Sequence, residues 1–126
     1  MRFFLDNNLS PKLAAVLRAL DHDVVHLREH FAESAADVDW IPEVAANGWT
    51  VITVDHAIRS RPHEREVWRS SRICVFFLQK GVLKLRIHDQ VAWVVSAWEG
   101  IVRAASRARP GQCFLLQMNR KIDDVR

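Results

Sequence analysis

The chain has 126 residues, of which 49% are hydrophobic and 26% are charged, so it can bury a core and is not an intrinsically disordered protein. No apolar stretch approaches the ~18 residues of a membrane-spanning helix, and no signal-peptide pattern follows Met1. We therefore expect a single cytoplasmic domain over residues 1–126, with a flexible tail from about residue 119. The net charge of +3 permits an anionic partner without requiring one.

Strands and helices are predicted to alternate along the chain. Residues 2–6 form an apolar strand, and Ser10 and Pro11 then supply the N-cap and the first position of a helix over residues 11–20. Further strands are predicted at residues 23–27, 50–55, 73–78 and 112–118, and further helices at 37–47, 62–70 and 85–105. Because the strands are almost continuously apolar, the pattern predicts a mostly parallel five-stranded sheet covered by helices on both faces, which is a three-layer α/β/α fold.

Carboxylates stand where the predicted elements meet one edge of this sheet. Asp6 ends the first strand, Asp55 ends the third, and Asp37 begins the helix between the second and third strands. The carboxyl ends of parallel strands share one edge, where open α/β sheets bind ligands, so these three side chains can converge. A divalent cation would offset their mutual repulsion, and oxygen ligands suit Mg²⁺ or Mn²⁺. Asp39 and Asn7 are further candidate ligands.

The same residue types also have ordinary structural uses, which stay open at this point. Asp37 suits the N-cap of a helix, and Asp39 suits its first turn because a carboxylate there interacts favourably with the helix dipole. Asn7 is a common turn residue. Asp6 and Asp55 are harder to explain in this way, because a carboxylate at the end of an apolar strand needs a partner.

At these residues the sequence resembles a known family. The stretches "FFLDNNLSPKLAAVL", "HDVVHLREHF" and "DVDWIPEVAANGWTVITVD" resemble compact PIN-like domains related to VapC-type toxin ribonucleases, and "RSRPHERE" and "RICVFFLQKG" look like one branch of that group. The resemblance extends to about Gly111. It implies a PIN fold and metal-dependent hydrolysis of RNA phosphodiester bonds by a toxin that an antitoxin protein holds in check.

The family's acidic positions fall on specific residues of this chain. Its first aspartate falls on Asp6, its helix-start aspartate on Asp37, and the aspartate of its Thr-x-Asp pattern on Asp55, with Thr53 as the threonine. The resemblance thus implies that these three aspartates bind the metal and carry catalysis. Two positions depart from the family pattern. A further glutamate of ordinary PIN domains has no clear match, and Asp55 is followed by His56-Ala57-Ile58 in place of x-Asp-Phe.

Arginines recur in and just before the predicted helix at residues 62–70, at a spacing that places them along one face of the helix. A helix face lined with arginines can bind RNA phosphates. The candidate RNA-binding residues are Arg59, Arg61, Arg65 and Arg69. A solvated helix face with interspersed glutamates is the alternative interpretation.

The sequence is compatible with three functions to different degrees. The first is a PIN-type metal-dependent endoribonuclease acting as a toxin, with RNA, an antitoxin and a possible second copy of the chain as partners. The second is a PIN-like binding module with little or no catalysis, which the reduced acidic set leaves open. The third is a receiver-type phospho-acceptor domain. The sequence argues against it, because the fourth strand ends in Leu78-Gln79 without a hydroxyl residue and no lysine directly follows the fifth strand.

Overall fold

The computed structural model describes residues 1–59 and 62–125, with the side chains of all of these except residues 59 and 62–65. The strands are β1 (Phe3–Leu5), β2 (Val24–His26), β3 (Thr50–Thr53), β4 (Val75–Leu78), β5 (Cys113–Leu116) and β6 (Ile122–Val125). The α-helices are α1 (Pro11–Ala19), α2 (Leu27–His30), α3 (Asp37–Ala46), α4 (Pro62–Ser71) and α5 (Ile87–Ser106). Two 3-10 helices lie at His56–Arg59 and Lys80–Lys84. None of the described helices is long and apolar enough to span a bilayer.

The sheet confirms the predicted fold class but contains one more strand than predicted. Its order is β2-β1-β3-β4-β5-β6, with β1 to β5 parallel and β6 antiparallel to β5. The predicted sheet stopped at the fifth strand because Ile122–Val125 carries two aspartates and has no continuous apolar run. A turn with Arg120 at a φ of 71° brings this segment back along β5, where Ile122 pairs with Leu116.

The two faces of the sheet carry separate cores, because successive strand residues point to opposite sides. Phe3 and Leu5 pack in the core under α1 and α5. Phe4 lies in the core under α3 and α4, where its ring centroid is 5.1 Å from that of Trp40. Burying each such side chain stabilises the fold by roughly 1.5–3 kcal/mol. The packing of the three layers fixes the positions at which the strands end.

The strand order creates a crevice between β1 and β3. The chain leaves β1 through α1, on one face, to reach β2, and then passes through α3, on the opposite face, to reach β3 on the other side of β1. The connections from the carboxyl ends of these two neighbouring strands therefore diverge. In open α/β sheets such a switch point forms the ligand crevice. Asp6 directly follows β1, and Val54 and Asp55 follow β3.

Candidate functional site

A buried carboxylate lies at this crevice. Asp6 is only 5% exposed, and its backbone N–H donates to the Ile52 carbonyl across the sheet at 3.1 Å. Its side chain accepts two hydrogen bonds, from the Thr53 hydroxyl to Oδ2 at 2.8 Å and from the Asn7 backbone N–H to Oδ1 at 2.7 Å. Residues 47 positions apart in the sequence thus hold this carboxylate in one orientation.

The fully buried Thr53 joins the other residues of the crevice. Its Oγ1 donates to Asp6 and accepts from the Asp55 backbone N–H at 3.0 Å and from Asn8 Nδ2 at 3.3 Å. The Asp55 Oδ1 in turn accepts from the Ala57 N–H at 3.2 Å. A single hydroxyl therefore fixes both strand ends, which is the structural use of the Thr-x-Asp pattern.

Electrostatics distinguish Asp6 from an ordinary surface carboxylate. Burial raises the pKa of Asp6 above 3.8, and the nearby negative charge of Asp55 raises it further. The hydrogen bonds from Thr53 and Asn7 act in the opposite direction and favour the ionised form. Negative charge on both Asp6 and Asp55 is therefore unfavourable in free energy, and a bound cation would offset that unfavourable contribution.

A buried histidine supports the loop that follows β1. His26 Nδ1 accepts from the Arg28 backbone N–H at 3.1 Å, which assigns the proton to Nε2, 2.6 Å from the Leu9 carbonyl oxygen. The Leu9 backbone N–H donates to the Asp6 carbonyl at 3.0 Å. Burial lowers the pKa of His26 below 6.5, so the neutral ring is the form that anchors this loop.

The predicted acidic group is only partly assembled. Asp37, the first residue of α3, accepts from Trp40 Nε1 at 2.9 Å, and Asp39 accepts from the Ala36 backbone N–H at 3.2 Å. Within residues 1–59 and 62–125, no three or more His, Cys, Asp or Glu side chains stand together as a metal site. The structure thus brings Asp6 and Asp55 together, whereas neither Asp37 nor Asp39 joins them in a group of three among the described residues.

The Asn7 side chain is hydrogen-bonded through both its oxygen and its nitrogen. Its Oδ1 accepts from Arg28 Nε at 2.7 Å, and its Nδ2 donates to the Glu33 carbonyl at 3.0 Å. The amide therefore ties the β1–α1 loop to the segment after β2.

The candidate RNA-binding arginines are described only in part. Arg61 and the side chains of Arg59 and Arg65 lie outside the described residues. Arg69 lies in the last turn of α4 and lines a cavity of about 500 Å³ with Arg109, next to the amino end of β5. Since α4 returns from the carboxyl edge of the sheet to the amino edge, rising ~1.5 Å per residue, Arg69 stands at the end opposite to the crevice.

Two residues of this edge, His26 and Arg28, were not predicted from the sequence. His26 ends β2 and Arg28 follows it, so both stand at the carboxyl end of a strand, as Asp6 and Asp55 do. Applying the same rule to the second predicted strand would have singled out this pair. Asn8, which the sequence offers as a carbonyl ligand or as a residue that orients a water, donates instead to Thr53.

The donor chemistry at the crevice fits one hard cation. Mg²⁺ is commonly held by one or two carboxylates together with water and substrate phosphate. Asp6 and Asp55 provide two carboxylates whose mutual repulsion a cation would relieve. Two of the three predicted aspartates therefore offer a donor set of the kind that such an ion takes.

Comparison with known proteins adds one finding. A family model described as "PIN like domain" matches residues 1–80, which include β1, β3 and both aspartates of the crevice. The match covers 80 of the 126 residues. Neither the curated proteins nor the solved structures gave a match.

Proposed function

The chain belongs to the PIN-like domain family, and from this premise we propose that it is a metal-dependent endoribonuclease that hydrolyses RNA phosphodiester bonds. PIN-like domains are generally nucleases. The observation that carries the proposal is the pair of Asp6 and Asp55 at the switch point between β1 and β3, joined by the buried Thr53 hydroxyl.

In the proposed site Asp6 and Asp55 hold Mg²⁺ or Mn²⁺. The ion would supply a polarised phosphate and a bound water of lowered pKa. The protein's own contribution is orientation, because Thr53 and the Asn7 N–H hold the Asp6 carboxylate in place and favour its ionised form against the effect of burial. Asp37 bonds to Trp40 Nε1 through Oδ1 at the start of α3, and its part in binding the metal stays a prediction.

The biological role is proposed as that of a toxin. The resemblance to VapC-type ribonucleases supports a toxin–antitoxin pair, with cellular RNA as the substrate and a cognate antitoxin protein as the inhibitor. A neighbouring gene for a small DNA-binding protein, whose product suppresses RNA cleavage by this chain, would support that role.

Cleavage of a labelled RNA tests the hydrolase proposal. The wild type should cleave with Mn²⁺ and lose activity with excess chelator. Asp6→Asn should reduce cleavage by orders of magnitude, because the amide removes charge that holds the ion. Asp23→Asn is the matched control, since Asp23 is an exposed carboxylate at the other sheet edge, paired with Arg2 at 2.9 Å. Cleavage that survives the chelator, or that Asp6→Asn leaves unchanged, would contradict the proposed chemistry.

A PIN-like binding module without catalysis is the second candidate. It is favoured by the observation that no three-residue acidic group is assembled among the described residues. Wild-type protein that binds RNA but does not cleave it with Mn²⁺ or Mg²⁺ would select this function.

A further inference from the structure

We propose that Arg28 binds a phosphate of the RNA strand in a polar cleft beside Asp6. The proposal rests on the function proposed above and names a substrate-binding residue for the same site. Arg28 follows β2, so it approaches the crevice from the strand next to β1.

The cleft is an open cavity of about 340 Å³ at the carboxyl edge of the sheet. Its polar lining consists of Asn7, Asn8, Ser10, Arg28 and Gln90. The arginine is the one charged residue among the residues that line it. The cleft adjoins the catalytic pair directly, because the Asn7 backbone N–H donates to Asp6 and Asn8 donates to Thr53.

The guanidinium is fixed in position but keeps donors for a ligand. Its Nε donates to Asn7 Oδ1 at 2.7 Å, and Nη2 lies 3.4 Å from a Glu33 carboxylate whose side chain is 70% exposed. Such an exposed ion pair contributes little and yields readily to a competing anion. Within the described part of the chain, Arg28 has no further side-chain partner.

Arg18 shows how an arginine with a structural use differs. Its Nη1 donates both to the Val24 carbonyl at 3.0 Å and to the Glu29 carboxylate at 2.7 Å. Those bonds join α1 to β2 and α2 and leave the group committed to the protein. Arg28 makes one short bond, to a neutral amide of the loop that carries Asp6. The bond to Asn7 orients the Arg28 guanidinium and, because the amide is neutral, leaves its positive charge available to a ligand.

The charges around the crevice explain why a positively charged side chain is useful beside the two aspartates. The carboxylates of Asp6 and Asp55 repel an RNA strand, and a metal ion offsets that repulsion only where it binds. A guanidinium presents paired donors that match two phosphate oxygens, so Arg28 can hold a phosphate next to the reacting one. The neutral amides and hydroxyl of the cleft add donors without adding negative charge.

The test measures binding of a fluorescent single-stranded RNA by anisotropy, in chelator so that cleavage cannot intervene, at several salt concentrations. Arg28→Ala should raise Kd at least about tenfold, the scale of a lost hydrogen bond to a charged group. It should also reduce the slope of log K against log salt by about 0.7, the value for one phosphate contact on a single strand. Arg103→Ala removes an equivalent charge from the C-terminal part of α5, at the opposite edge, and should change Kd less than about twofold.

Arg28→Lys provides the variant that keeps the charge, and it carries the test if the alanine variant does not fold. It should retain the salt slope of the wild type but bind RNA more weakly, because an ammonium lacks the paired donors. Equal effects of Arg28→Ala and Arg103→Ala, or unchanged RNA binding in Arg28→Lys, would overturn the assignment.

The outcome is separable from that of the hydrolase proposal. Wild-type protein that binds RNA through Arg28 but fails to cleave it with Mn²⁺ contradicts hydrolysis and leaves the phosphate site standing. Wild-type protein that cleaves, while Arg28→Ala cleaves with the same KM and the same salt dependence, overturns the phosphate site alone.

Discussion

The two edges of the sheet use polar residues in different ways. At the carboxyl edge, Asp6, His26 and Thr53 are buried, and their bonds join segments far apart in the sequence. At the amino edge, the ion pair between Arg2 and Asp23 is solvent-exposed, with side-chain exposures of 40% and 53%.

This difference separates a candidate site from ordinary surface chemistry. An exposed ion pair costs little to form and contributes little to stability. A buried carboxylate loses hydration, and this loss raises the pKa of Asp6. A buried carboxylate at the point where two strand connections diverge has a use if it binds a ligand such as a metal ion. Variants at the two edges should therefore differ in their effects on stability.

The largest expected effect on stability is at Thr53. Thr53→Val keeps the shape of the side chain but removes the donor to Asp6 and the acceptor for the Asp55 and Asn8 N–H groups. We expect a loss of about 1–3 kcal/mol in the free energy of unfolding at pH 7, measured by urea denaturation.

Thr50→Val is the matched control for this change. Thr50 begins the same strand at the amino edge, is 6% exposed, and makes no side-chain hydrogen bond within the described residues. Its replacement should change the free energy of unfolding by less than about 0.5 kcal/mol. Equal losses in the two valine variants would show that the hydroxyl of Thr53 has no special role.

A smaller effect is expected in the pH dependence of stability. The pKa of His26 is lowered by burial, so the unfolded chain takes up a proton at a higher pH than the folded chain. The stability that the neutral ring contributes is therefore present above about pH 6.5 and is lost as the pH falls from there towards the folded-state pKa. His26→Gln retains an amide donor for the Leu9 carbonyl and does not titrate.

Urea denaturation between pH 7 and pH 5 compares this variant with His88→Gln, which alters an exposed histidine of α5. The wild type and His88→Gln should lose stability in parallel on acidification, while His26→Gln should lose less. The charge of His26 is the smallest of the causes that set the pKa of Asp6, so the titration of Asp6 is largely shared by the three proteins and the difference between the curves reports mainly on His26. Three parallel curves would contradict the neutral, anchoring role of His26.

The sequence predicted the three-layer fold, because nearly continuous apolar strands such as residues 73–78 need helices on both faces. It also placed Asp6 and Asp55 at one edge, since a parallel sheet brings the carboxyl ends of its strands together. It did not predict β6, whose polar Ile122–Val125 segment becomes a strand only by pairing with the edge of β5.

The details of the site depended on tertiary contacts that no local pattern encodes. Asp37 was expected to converge with the other two aspartates, but its bond to Trp40 is made within α3. Arg28 could have been found by its place after the second predicted strand, but its bond to Asn7, 21 residues away in the chain, could not. The spacing of residues in the sequence indicates which of them lie at the carboxyl edge of the sheet, whereas side-chain hydrogen bonds determine which of them contact one another there.

Thermal unfolding with Mn²⁺ and with chelator tests most directly whether Asp6 and Asp55 form a metal site. Mn²⁺ should raise the Tm of the wild type and of Asp23→Asn, because only the folded state presents both carboxylates of the crevice. Asp55→Asn should abolish this rise, and with chelator it should be at least as stable as the wild type, because it removes the charge that repels Asp6. If Mn²⁺ leaves the wild-type Tm unchanged and Asp55→Asn is simply less stable, Asp55 is a structural residue and the metal site is contradicted.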